Sequence, residues 1–259
     1  MTRDAPPGFV FGMYQVAARN LIVWRSYLLP SVLGNFGEPL LYLLALGFGL
    51  GAIVPEIGGM SYAEFIAPGL IVSTVMYTST FEATFGTYTR LASQKTFEAL
   101  LATPITVPEI VAGEVLFCGV KSAFGAASVL TVITLFGLTP SWLALGVIPL
   151  GFVAGLMFSS MALVMTAVAK SYEFFNYYFT LLVAPMFLFS GIFFPLDRAP
   201  RWASRFAEIL PLTHVVRLSR ALVRGSPSPA LLFDLTVMLA VLAVAYIAAF
   251  SLLRSRMKI

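Results

Sequence analysis

One stretch of the chain, Cys118-Gly119-Val120-Lys121-Ser122, comes near a nucleotide-binding sequence. A phosphate-cradling loop of that class reads G-x-x-x-x-G-K-[ST], with glycine N–H groups around the phosphates and the lysine directly after the last glycine. Here Val120 intervenes and the surroundings are apolar, so this chain is not expected to hydrolyse ATP. The single histidine, His214, has no His, Cys or carboxylate at ligand spacing, which removes the usual grounds for a metal site. One histidine in a basic stretch also supplies no Ser/His/Asp arrangement. No catalytic, cofactor-binding or metal residue is assigned. What remains is a set of charges in apolar company: Glu38, Glu82, Glu114 and Lys121. Glu114 and Lys121 are seven residues apart and would share one helix face. Two readings stand: an ion pair or snorkelling near a membrane boundary, or a polar path in which Glu82 and Lys121 act with Tyr77 and the hydroxyls that follow it.

The elements that hold these charges follow from composition. The 259 residues are 59% hydrophobic and 11% charged, against about 25% charged in soluble domains, and the mean hydropathy is +0.91. No charge falls between Glu38 and Glu56, Glu64 and Glu82, Lys121 and Lys170, Glu173 and Asp197, or Asp234 and Arg254. A helix of roughly 20 apolar residues crosses a bilayer. The Lys121–Lys170 interval holds two such helices around a Gly/Pro turn at residues 137–142. The expectation is an all-α, polytopic membrane protein in one domain, residues 1–259, with six crossings at 28–52, 65–88, 111–136, 142–169, 174–194 and 230–253. The segments lack the alternation of a barrel strand. Pro6, Pro7 and Gly8 precede a stretch carrying Arg19 and Arg25, with no signal-peptide pattern. The single Cys118 lies in the third crossing and leaves no disulfide to form.

Six crossings place both termini on one side, with Arg3, Arg19, Arg25, Arg90, Lys95, Lys170, Arg254, Arg256 and Lys258. The positive-inside rule makes that side cytoplasmic, in a plasma or inner membrane. The last outer loop departs from the rule, with Arg198, Arg201, Arg205, Arg217, Arg220 and Arg224. Residues 9–24 read as a helix in the cytoplasmic interface, separated from the first crossing by Pro30. The positive net charge reports orientation here and gives no case for nucleic acid.

Two polar segments carry candidate sites. In residues 93–104 Ser93 is a candidate N-cap, Phe97, Leu100 and Leu101 share a face, and Pro104 stops the helix. Thr106 and Glu109, with Pro108, then start the next long helix. A helix this short needs a surface to pack on: the protein's own bundle, or a groove in a partner. In residues 195–225, Trp202, Phe206 and Ile209 form one stripe opposite Arg201, Arg205 and Glu208, and a second run aligns Arg217, Arg220 and Arg224 before Gly225. Anchoring by anionic lipid and a gate that guides a head group outward both fit.

The stretches from Phe81 to Glu114 and from Phe189 to Gly225 resemble the two signature blocks of ABC-2 type transporter permeases, closest to the nodulation protein J subgroup, which exports lipo-oligosaccharides. The resemblance covers nearly the whole chain. It implies a membrane permease working as a homodimer with two copies of a separate ATPase, which would hold ATP and magnesium. It implies that Gln94, Lys95, Thr96, Phe97, Glu98, Leu100 and Leu101 form a cytoplasmic coupling helix seated in the ATPase. Tyr77, Glu82 and Lys121 would line a substrate path, and Trp202, Arg205, Phe206, Arg217 and Arg220 an outer gate of interfacial or re-entrant helices. The implied cargo is a lipid-linked oligosaccharide or similar amphiphile. A drug is the alternative in the same architecture, and a self-contained secondary carrier is the rival class, although no internal repeat supports it.

Overall fold

A computed structural model describes residues 8–54 and 56–257, apart from the side chains of residues 31–36 and of Glu38. Arg3, Pro6, Pro7 and Lys258 lie outside the described residues. Among these residues the regular elements are all helical and none is a strand. The first helix, α1 (Phe9–Arg25), has the bounds expected of it. It packs along the first half of α5 (Val107–Leu135) by close backbone approach: a methyl group on Gly113 would strike Val16. Its other flank, Phe9, Val10, Phe11, Tyr14 and Ile22, is exposed and apolar. The break that follows falls at Ser26 and Tyr27, and Pro30 sits in the first turn of α2 (Leu28–Tyr42), where its missing N–H costs no hydrogen bond.

Helix continues from α2 through a π-helical segment and a short turn to Ala52. Ser61 then caps α3 (Tyr62–Phe81) reciprocally with Glu64. Two π-helical turns, Glu82–Gly86 and Thr89–Ser93, carry α3 onward to α4 (Thr96–Leu101). Glu109 takes the N–H and hydroxyl of Thr106 to begin α5, as its sequence predicts. A 3-10 turn at Trp142–Gly146 leads into α6 (Val147–Val168). The next apolar segment is α7 (Glu173–Tyr178), a π-helical turn, and α8 (Ala184–Phe189). The wide turn lies where the ring of Pro185 would clash with a carbonyl four residues back. Two polar-faced helices, α9 (Arg201–Ile209) and α10 (Pro211–Arg224), precede α11 (Leu231–Arg256).

Among the described residues three helical stretches are long and apolar enough to cross a membrane: Val107–Leu135, Trp142–Val168 and Leu231–Arg256. Helix also spans residues 28–52, 62–93 and 173–189, where the sequence marks intervals at 28–52, 65–88 and 174–194. The last helix stops at Phe189, short of the expected end, because the chain turns at Ser190 and Gly191. The core is the pairing of α5 with α6, where Gly155 lies so close to Ser122 and the Gly119 backbone that a methyl group would strike them, and Gly119 packs under Leu156. α11 lies against α6 but leaves Phe233, Leu239, Val244 and Ile247 exposed, a flank suited to lipid.

The connections give the bundle two ends. Because α5 and α6 are antiparallel, α4, the start of α5 and the end of α6 lie together, and Arg256 closes that end on the carbonyls of Thr166 and Ala167. The starts of α3, α6 and α11 lie with α10 at the other.

Candidate functional site

At the α4 end, four charged side chains are joined in one network. Arg90 donates from Nη1 to Glu82 at 2.9 Å and from Nη2 to Glu114 at 2.6 Å. Lys121 Nζ reaches the other oxygen of Glu82 at 2.7 Å. Asn20 of α1 donates to Glu114 at 2.8 Å, Thr87 donates to it at 2.9 Å, and Arg19 donates to Asn20 at 3.0 Å. The Glu114 side chain is 2% exposed. The four ion-paired side chains, two carboxylates and two cations, balance one another, the condition under which charge is tolerated among apolar helices, and Arg19 joins them only through Asn20.

Local geometry makes this possible. On a regular α-helix Glu82 and Arg90, eight residues apart, fall somewhat off one face; the wider π-helical turns between them bring both to the same side. Gly86 sits under the pair, where a methyl group would strike the Glu82 carboxylate. Glu114 and Lys121 share a face as expected but do not pair with each other: Arg90 takes Glu114, and Glu82 takes Lys121. Arg90, central to the network, was not among the residues singled out by sequence. Its signal was its place two turns beyond Glu82, at the edge of an apolar segment. Beside the network a cleft of about 300 Å³ is lined by Arg19, Trp24, Tyr27, Gln94, Phe117 and Lys121. Tyr77, expected to line the same path, packs edge-on to Phe187 with ring centroids 5.5 Å apart.

The coupling-helix candidate hangs directly below. Ser93 ends the last π-helical turn and does not cap α4; the helix begins at Thr96 after Lys95, the one described non-glycine residue with positive φ, at 52°. Such a conformation costs on the order of 1 kcal/mol or more and makes a sharp corner between α3 and α4. Thr96 and Phe97 are buried, and Phe97, 2% exposed, belongs to the main hydrophobic core. Leu100 and Leu101 are half-buried on the same core. Gln94, Lys95 and Glu98 are exposed, and the Lys95–Glu98 pair at 3.7 Å is a surface contact. The apolar face therefore acts as a keel in the protein's own bundle, and the polar rim is left exposed. The Tyr172 hydroxyl lies within hydrogen-bond reach of Thr89 and Ser93, which hold its phenol below the usual range.

At the other end, α9 exposes Trp202, Phe206 and Ile209, with Trp202 and Phe206 touching Phe189, while Arg205 is exposed. α10 is not a surface helix. Leu212, Val215, Val216 and Val223 are buried, and its Ser219 donates to the Pro68 carbonyl at 2.9 Å. His214 does have a carboxylate partner: Nδ1 lies 2.6 Å from Asp234 Oδ1, and Nε2 lies 3.1 Å from the Glu208 carbonyl. Asp234 is 20 residues away, in the first turn of α11, where only the pairing of α10 with α11 could bring it. Arg217 binds Glu208 and reaches Asp234, and its hydrogen bonds hold the Glu208 carboxyl below its usual range. Arg220 turns inward to the carbonyls of Phe65 and Gly191. The expected basic face of Arg217, Arg220 and Arg224 is thus divided between an ion pair and a buried guanidinium.

The family model described as ABC-2 type transporter matches residues 13–223. A Nodulation protein J from Rhizobium meliloti is 37% identical over 209 residues, 81% of this chain and 80% of that protein. One from Neorhizobium galegae is 31% identical over 258 residues, 99% of this chain and 98% of that protein. The inner membrane transport permease YadH of Escherichia coli is 24% identical over 201 residues, 76% of this chain and 75% of that protein.

The network makes a stability prediction. Arg90→Met strands Glu114 in the bundle and should cost about 3–5 kcal/mol, whereas adding Glu114→Gln should recover much of that loss. Thermal denaturation of the purified protein in one detergent checks both; a wild-type midpoint for Arg90→Met contradicts the network's role.

Proposed function

Since the chain belongs to the ABC-2 type transporter family, we propose that it is the membrane permease of an ATP-driven exporter, a homodimer served by two copies of a separate ATPase that binds ATP and magnesium. In this reading the chain crosses the inner membrane six times with both termini in the cytoplasm, α1 lies at the inner interface, and α4 faces the cytoplasm. The observation that carries it is the form of α4. A six-residue helix is set on a left-handed corner, keeled by Phe97 into the bundle and rimmed by exposed Gln94, Lys95 and Glu98. The keel serves the bundle, while the exposed rim offers a partner a rigid knob.

Motion of the ATPase would reach α4 at its rim and pass through the end of α3 to Arg90. There it meets α5 through Glu114 and α1 through Asn20. The cleft beside Lys121 would receive the head group at the cytoplasmic side, and α9 and α10 would form the exit. The proposed cargo is a lipid-linked oligosaccharide or a similar amphiphile. Its support is the extent of likeness to proteins named Nodulation protein J, together with a cleft that sets aromatic rings beside cations.

Co-purification with the ATPase and ATP-dependent cargo movement in proteoliposomes test this reading. Glu98→Lys should leave the unfolding midpoint unchanged yet weaken ATPase binding about fivefold at low salt, an exposed-charge effect of ~1 kcal/mol. Phe97→Ala should cost about 3–5 kcal/mol of stability and loosen α4. Loss of binding with unchanged stability in Phe97→Ala would mean that Phe97 itself enters the partner. Cargo movement by the purified chain alone would establish a secondary carrier.

Orientation has its own check. In a Cys118→Ser background, cysteines at Ser93 and Ser204 should react with an impermeant maleimide from opposite sides of the membrane. Reaction of both from one side contradicts six crossings.

A further inference from the structure

At the α10 end three guanidinium groups that line one cavity have no carboxylate partner among the described residues. Arg198, Arg220 and Arg224 border a cavity of about 420 Å³ formed by the first turn of α3, the segment after α8 and the face of α10. Arg217, the fourth arginine on its wall, is already held by Glu208 and Asp234. Asp197 is the one acid lining the cavity among these residues, so a positive excess remains.

Arg220 is the fixed point. Its Nη2 donates to the Gly191 carbonyl at 2.9 Å and to the Phe65 carbonyl at 3.3 Å, and its plane lies 4.2 Å from the centroid of the Phe65 ring. The Gly191 carbonyl is presented by a left-handed turn, φ 76°, where a side chain would strike Leu196. The Arg220 Nε is buried and has no hydrogen-bond partner among the described residues. Burial, reinforced by the neighbouring charges of Arg224 and Arg217, pushes the Arg220 guanidinium down to about 10. A guanidinium held rigidly by carbonyls and a ring, short of one acceptor and near like charges, is arranged for an anion with several oxygens. Ile57, Met60 and Val216 make the rest of the wall apolar.

We propose that this cavity binds the phosphate group of an amphiphile, with Arg220 as its fixed donor and Arg198 and Arg224 closing on it from the rim. The apolar wall takes the start of the attached chain. Placing the cavity at the exit rests on the export reading; its chemistry does not. A resident membrane lipid or a passing cargo molecule would supply the same group.

The test uses the full-length protein in phosphatidylcholine nanodiscs with phosphatidic acid added, bound lipid being read by native mass spectrometry, followed by titration with inorganic phosphate. The protein should retain phosphatidic acid over phosphatidylcholine. Arg220→Gln and Arg224→Gln should each weaken retention about tenfold, the worth of one charge-assisted contact. Arg201→Gln, an equal charge loss on the exposed face of α9, should leave it unchanged. Should Arg220→Gln fail to fold, Arg224→Gln at the exposed end of α10 carries the comparison. Displacement by inorganic phosphate would identify a site for the free group that a cargo could occupy in passing; retention against it would identify a held lipid. No preference for phosphatidic acid, or equal loss in Arg201→Gln and Arg224→Gln, overturns the proposal in favour of general attraction to a basic surface. ATP and ATPase are absent, so failure here leaves export untouched, and failure of export leaves the cavity standing.

Discussion

Moving a carboxylate or a guanidinium from water into an apolar bundle costs several kcal/mol per ion, and only close, complete pairing offsets it. Glu82, Arg90, Glu114 and Lys121 meet that condition together and not in smaller parts. Arg90 needs both carboxylates, and Glu82 needs both cations. Since Glu82 and Arg90 lie on the continuation of α3, Glu114 and Lys121 on α5, and Asn20 on α1, satisfying the charges fixes three helices relative to one another at the end that carries α4. Apolar packing alone leaves helices free to slide among near-equivalent arrangements in lipid, where burial gives no preference between them. A shared ion network has far fewer solutions.

The rest of the molecule is organised around that fixed end. The small residues between α5 and α6 make a close, stiff pair, and α4 is keeled into the same core by Phe97. The α4 keel and the α5–α6 pair thus share one continuous core. At the opposite end a second polar cluster, His214, Asp234, Arg217 and Glu208, links α9, α10 and α11, while Arg220 rests on carbonyls and a ring. One end is tied by a buried ion network, and the other sets the unpaired guanidinium groups of Arg198, Arg220 and Arg224 around a cavity.

Much of this was legible in the sequence, for reasons that differ by scale. Apolar intervals are local properties, so the helices at residues 28–52 and 142–168 begin and end almost where charge and Gly/Pro placed them. Thr106 and Glu109 start α5 as their spacing required. The amphipathic face of Phe97, Leu100 and Leu101 was also plain, but periodicity tells that a face must be buried and not against what. Glu82 and Lys121 stood out as lone charges. Their partner Arg90 did not, because the π-helical turns that rotate it into place leave no mark that a regular helical period can read. His214 looked isolated because Asp234 lies beyond the reach of any single-helix spacing. The orientation of Arg220 depends on a left-handed turn at Gly191 on another segment.

The central claim is that the ion network carries motion from α4 into the bundle, beyond merely holding the fold. Replacing all four members by neutral side chains of similar size, Glu82→Gln, Arg90→Met, Glu114→Gln and Lys121→Met, removes the ions without stranding any of them. With the ATPase bound in proteoliposomes, the ratio of cargo moved to ATP hydrolysed reads transmission directly. The account predicts a folded complex that still hydrolyses ATP but moves little cargo for each ATP. A wild-type ratio from a stable quadruple variant would contradict it.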